Sequence, residues 1–223
     1  MSSANPIPAP RHVAPAPDAP TLDAPAGSRW DSLLKVAHWS IALLILVEVP
    51  AGFVMSMTYG PSFKDATALK LHIIASQFHH TIGFLVLAAA LFWLARRWHR
   101  GRPAWDAAVP RGQRILAASV HGLLLALLIL IPWSGWTALS ALADSPAFGT
   151  THIWFFGFDR MLPRIWEPLP FNDPTGYARF GRLHVWGLWA GLALVVLHVA
   201  SALWHHLFVR DGVLRRMWPL GDG

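Results

Sequence analysis

The sequence predicts an all-α membrane protein, a bundle of four transmembrane helices with both termini in the cytoplasm. Three observations carry this fold class. Of 223 residues, 54% are hydrophobic and only 13% charged, where a soluble domain carries about a quarter charged residues. Thirteen tryptophans suit the aromatic belts that form at the two membrane interfaces. Four long apolar runs follow a polar tail, and each exceeds the roughly 20 residues needed to cross a hydrocarbon core of about 30 Å.

Residues 1–28 contain seven prolines and no apolar run. Such a stretch cannot bury enough surface to offset its ordering entropy, so it is expected to be a disordered tail. It also lacks the apolar core of a signal peptide. Residues 29–219 form the membrane domain. Its first span covers about 33–57 and carries Lys35, His38 and Glu48, with Pro50 as a kink. The second covers about 73–95, after the polar Tyr59–Lys70 connection. The third covers about 115–142, interrupted by Pro132, and the fourth about 183–209. Between the last two lies a connection, Ala143–Arg182, that is long for a compact domain. Its Trp154, Phe155, Phe156, Phe158 and Trp166 are expected to form either an amphipathic element on the membrane surface or an ordered cap packed on the bundle.

The formal net charge of +6 does not indicate a nucleic-acid partner, because of where the charges lie. Arg96, Arg97, Arg100, Arg102, Arg111 and Arg114 crowd the connection between the second and third spans, and Arg210, Arg215 and Arg216 follow the fourth. This is the positive-inside pattern. It places both termini in the cytoplasm and the 143–182 connection outside, in contact with lipid and the external medium. The chain has no cysteine. Disulfides, thiolate-bound iron–sulfur clusters and covalent c-type haem attachment are therefore all excluded.

Against this apolar background the histidines stand out. His184 and His198 lie fourteen residues apart in a run, Leu183 to Val209, without a charged residue. Fourteen residues are four helical turns less about 40°, so both rings project from nearly one face, roughly 21 Å apart along the axis. His38 enters with the first span from the cytoplasm, at the depth of His198. His79 starts the second span at the external face, at the depth of His184. Ionisable side chains inside a membrane are costly and usually mark a pathway or a cofactor. Neutral imidazole is the usual axial ligand of an electron-transferring haem. Four histidines matched in depth as two pairs therefore read as axial ligands of two b haems: His38 with His198 on the cytoplasmic side, His79 with His184 on the external side. The competing reading makes each one a bundle-packing residue satisfied by a backbone carbonyl.

Other polar residues divide between roles. His80 points about 100° away from His79 on a helix and cannot share its iron. His72 is a fallback ligand or a surface residue. His121, one turn into the third span, reads as a partner of a haem propionate or a quinone, or as simple packing. His205 and His206 suit the cytoplasmic end of the fourth helix. Glu48 reads either as a proton relay to a reduced quinone or as an interfacial partner of Arg179 or Arg182. Gly83 and Gly187 would let a macrocycle lie close to the backbone, or serve helix contact.

Leu34-Lys35-Val36-Ala37-His38-Trp39, His79-His80-Thr81-Ile82-Gly83, and His121 followed by Pro132 and Gly135 form an ordered set with the His184/His198 spacing. His205-His206-Leu207-Phe208 and Asp211-Gly212-Val213-Leu214-Arg215-Arg216-Met217 close it. Together they resemble the bacterial cytochrome b561 family over about Arg29 to Pro219. The resemblance implies a multi-pass protein of the bacterial plasma (inner) membrane, with four helices and two haem b groups. It implies a quinone-linked oxidoreductase that moves electrons between an aqueous-side donor and ubiquinone. By position it carries the ligand roles onto His38, His79, His184 and His198. The family's best-known activity, superoxide oxidation coupled to ubiquinone reduction, makes superoxide one candidate donor. The long 143–182 connection and the Pro-rich tail depart from the family pattern, and the first of these would shape the donor site. The alternatives are a haem b membrane anchor wiring a partner dehydrogenase or hydrogenase to quinone, with the 143–182 connection as docking surface, and a haem-free transporter.

Overall fold

The computed structural model describes residues 31–101, 109–141, 152–155, 158–161, 173–211 and 213–218; the tail read at residues 1–28 lies outside them. Helix α1 spans Ser32–Tyr59 and begins at an N-cap, Asp31, whose carboxylate accepts from Leu33 N at 3.1 Å. The helix continues through Pro50. A single 3-10 turn, Pro61–Phe63, leads to α2, Ala66–Arg100, which Asp65 caps by accepting from Ala68 N. Thus α2 begins seven residues before the apolar span read at 73. It ends at Gly101, where φ is +75° and ψ −168°, a conformation glycine adopts without the steric cost other residues would meet. Helix α3, Arg111–Ser140, runs through Pro132. Helix α4, Pro174–Trp204, has proline at its first position, where the missing N–H costs nothing. It therefore starts nine residues before the span read at 183. A π turn at His205–Val209 extends it, ending at Arg210 with φ +57°, and a short α5, Val213–Arg216, follows.

The helices form two antiparallel hairpins. Asp31 at the start of α1 takes Arg96 Nε at 3.2 Å and Nη2 at 2.8 Å from the end of α2. At the other end, Thr58 of α1 meets His72 of α2. The Arg96 guanidinium hydrogen-bonded to Asp31 holds its carboxyl below the usual carboxylate range. In the second hairpin, Asp173 N donates to the Ala141 carbonyl at 3.0 Å, pinning the start of α4 to the end of α3. The hairpins meet along α2 and α3, where Phe84 and Trp136 stack edge to face. Among the described residues, α4 makes no close backbone contact with α1 or α2.

Side-chain size explains the close seams. Among the described residues the buried apolar set is Leu34, Ala37, Ile41, Ala75, Ile82, Val86, Ala90, Ala138 and Ala141, mostly small residues. In lipid, close backbone approach replaces the hydrophobic drive of a soluble core. Buried Ser134, Thr137 and Ser140 donate to carbonyls three or four residues back, which satisfies them within their own helix. Large apolar residues such as Leu46, Met57, Trp98 and Trp186 face outward, as lipid requires. Among the described residues four helices are long and apolar enough to cross a membrane, and the protein is an all-α, multi-pass membrane protein.

Two smaller features complete the chain. His152–Phe155 (β1) and Phe158–Met161 (β2) pair antiparallel, with His152 opposite Met161 and Phe155 opposite Phe158, and β1 runs beside α2. Trp154, Phe155 and Phe158 thus belong to a strand pair; Phe156 and Trp166 lie outside the described residues. At the opposite end, Trp39 Nε1 donates to the Met217 carbonyl at 2.8 Å and its ring meets Trp218 edge to face. The first-span motif and the terminal motif are therefore in direct contact.

Candidate haem sites

Helix α2 presents His79 and α4 presents His184, with ring centroids 5.8 Å apart. A metal–imidazole bond is about 2 Å, so two rings on opposite sides of one iron have centroids about 6 Å apart. The observed separation fits such a pair. The Nδ1 of each ring faces a polar neighbour. His184 Nδ1 donates to the Ile131 carbonyl at 2.8 Å, leaving Nε2 as the nitrogen for a metal. His79 Nδ1 stands 2.9 Å from Glu48 Oε1, both side chains being largely buried. Two glycines complete the setting. A Cβ at Gly135 would lie 2.9 Å from His184 Cε1 and Nδ1, and one at Gly52 would lie 3.0 Å from His79 Cε1. A side chain at either position would displace the ring.

Nearer the other membrane surface, α1 presents His38 to His198 of α4, with ring centroids 6.2 Å apart. His38 Nδ1 is buried with no hydrogen-bond partner. A third ring joins this pair: His121 of α3 lies 5.1 Å from His198, and its Nδ1 donates to the Ala117 carbonyl at 2.7 Å. His121 is exposed where His38 is half-buried.

The remaining candidates sort by their contacts. His72 donates from Nδ1 to the Met55 carbonyl at 3.0 Å and serves the α1–α2 junction. His205 Nδ1 pairs with Asp211 at the end of the π turn. Glu48 meets His79 rather than Arg179 or Arg182. Gly83 faces Glu48, since a Cβ there would stand 3.2 Å from Oε1, while Gly187 packs against Ile131 of α3. Gly52 carries no sequence signal of its own. The Glu48–His79 contact joins residues thirty-one positions apart, beyond any helical spacing rule.

These residues fit haem better than a bare metal ion. Among the described residues no group of three or more His, Cys, Asp or Glu side chains is arranged to hold an ion. Haem iron takes four ligands from its own ring and needs only an axial pair. Both histidine pairs bridge helices whose backbones do not close-pack, which suits a flat macrocycle between them.

Comparison with known proteins agrees. The model of the prokaryotic cytochrome b561 family matches residues 29–220. The Escherichia coli (strain K12) protein named cytochrome b561 homolog 2 is 27% identical over 190 residues, covering 85% of this chain and 90% of its own length. Transmembrane electron transfer with haem b is what this family supports. The match takes in all four membrane helices and both histidine pairs, and the chain belongs to the prokaryotic cytochrome b561 family.

Proposed function

We propose that this protein carries electrons across the bacterial plasma membrane through two b haems, between a donor on the external side and ubiquinone in the membrane. One observation carries the reading: His184 and His198 on a single helix, roughly 21 Å apart along the axis, each face a ring from another helix at 5.8 and 6.2 Å. His79 and His184 would hold the external haem, His38 and His198 the cytoplasmic one. Bound there, each haem supplies one-electron iron chemistry. The chain's own work is to orient the imidazoles, through Ile131 and Glu48, and to keep water out with apolar helices.

The orientation rests on the arginines. Arg96 and Arg100 at the end of α2, Arg111 and Arg114 at the start of α3, and Arg215 and Arg216 in α5 collect at the end where α1 begins. By the positive-inside rule that end is cytoplasmic. Arg160, Arg164, Arg179 and Arg182 on the external side are offset by Asp144, Asp159, Glu167 and Asp173. Net charge there gives no steering toward an anionic donor such as superoxide. A partner redox protein docking on the 143–182 connection is the second source of electrons.

The test is haem content and reactivity of the purified chain. Pyridine haemochrome analysis is expected to give b-type haem at about two per chain, and fully loaded preparations with one or none would refute the two-site reading. Direct ubiquinone reduction from superoxide would remove the anchor-subunit alternative.

A further inference from the structure

The two histidine pairs are not chemically equivalent, and Glu48 makes the difference. It is the one carboxylic acid in the apolar stretch of α1, and its Oε1 lies 2.9 Å from His79 Nδ1. Its second oxygen, Oε2, is buried without a hydrogen-bond partner. Placing a carboxyl inside a membrane helix is costly, and no described lysine or arginine pairs with it. The backbone accommodates it: Gly83 lies opposite Oε1, and any larger residue would crowd that oxygen at 3.2 Å. By contrast, His184 Nδ1 meets a neutral carbonyl, and among the described residues no carboxylate stands against His38 or His198.

We propose that Glu48 is a positioning residue for the His79/His184 haem site, acting through His79 to lower the reduction potential of the external haem. The inference rests on the two-haem reading above. A carboxylate standing against the far nitrogen of a ligating histidine raises the basicity of the ring and makes it a stronger electron donor. A more electron-rich ligand, with a negative charge close by, stabilises the oxidised iron relative to the reduced one. The other site has no described carboxylate beside its imidazoles, and a charge roughly 21 Å further along the bundle contributes far less there because Coulomb energy falls with distance. The effect biases electrons that enter at the external haem toward the cytoplasmic one. Glu48 thus sets a direction of transfer without touching donor or quinone.

Anaerobic redox titration of the purified full-length protein, loaded with both haems, tests this. His79→Ala and His38→Ala first identify which spectral component belongs to which site. Glu48→Gln keeps an acceptor oxygen but removes the charge. It is expected to raise the midpoint potential of the His79-linked haem, to move that haem's low-spin ferric electron paramagnetic resonance signal, and to leave the other haem unchanged. Glu48→Asp, which retracts the carboxylate by one methylene, is expected to shift the same haem the same way by less. Unshifted potentials, or equal shifts in both haems, would overturn the proposal. Where the glutamine variant does not load haem, the aspartate variant decides alone, and an unshifted potential in it refutes the role. Failure of the underlying reading looks different: wild-type protein holding fewer than two haems, or His79→Ala retaining both.

Discussion

At the scale of single residues, the glycines are as telling as the histidines. Gly135 lies so close to the His184 ring that a methyl group would sit 2.9 Å from it, and the ring is already tied to the Ile131 carbonyl. Gly135→Ala is therefore expected to rotate His184 off that carbonyl and weaken retention of its haem about 10- to 100-fold, the usual cost of losing a ligand's outer partner. Haem titration of the apoprotein measures it. His38→Ala and His198→Ala should each abolish one spectral component, and His79→Ala and His184→Ala the other; matching losses from His38→Ala and His184→Ala would contradict the pairing. His121→Ala should retain both haems in the same spectrum, since its exposed ring stands beside His198 without replacing His38. Helical periodicity made the His184/His198 pair legible, because fourteen residues return to one face. Glu48's partner was not legible. The polar residues of helix α1 do not gather on one face, so its sequence does not reveal which face turns toward α2.

At the scale of elements, hydropathy located the apolar middle of each helix but not where the helix begins. The first turns of α2 and α4 lie outside the apolar runs, and their starts are set by Asp65 and by Asp173-Pro174, local capping signals without hydrophobic content. Four-residue strands such as β1 and β2 offer too little pattern to separate from a surface helix. Asp31 shows how a cap can also be a joint, since it starts α1 and grips Arg96 of α2. Asp31→Asn keeps a good N-cap and removes the ion pair. It is expected to lower the melting temperature slightly at neutral pH, as for a solvent-screened pair, read by thermal unfolding in detergent. The sign with pH follows from the depressed carboxyl. Its contribution is fully present above the ordinary value of 3.8 and is lost as pH falls through the lower folded value. The gap between wild type and Asp31→Asn should close there.

For the whole molecule, orientation is the property on which the external donor depends. In this cysteine-free chain, a cysteine introduced at Ser145 should react with a membrane-impermeant maleimide in intact cells, and one at Ala104 only after lysis. The reverse pattern would exchange the two proposed haem sites between membrane faces. The way the helices associate has a further outcome. The hairpins meet along α2 and α3 and through lighter contacts, β1 beside α2, Trp39 with Met217 and Trp218, and Phe53 with Trp189, and both histidine pairs cross the side where the backbone of α4 stands apart from those of α1 and α2. A ligand that grips both hairpins and neither alone stabilises the assembled form by mass action. Fragments ending at Gly101 and starting at Val109, co-expressed, should then co-purify when haem synthesis is supplied with precursor and separate when it is starved. On that outcome cofactor supply would act as a checkpoint on assembly, since a chain inserted without haem would have its hairpins held by protein contacts alone.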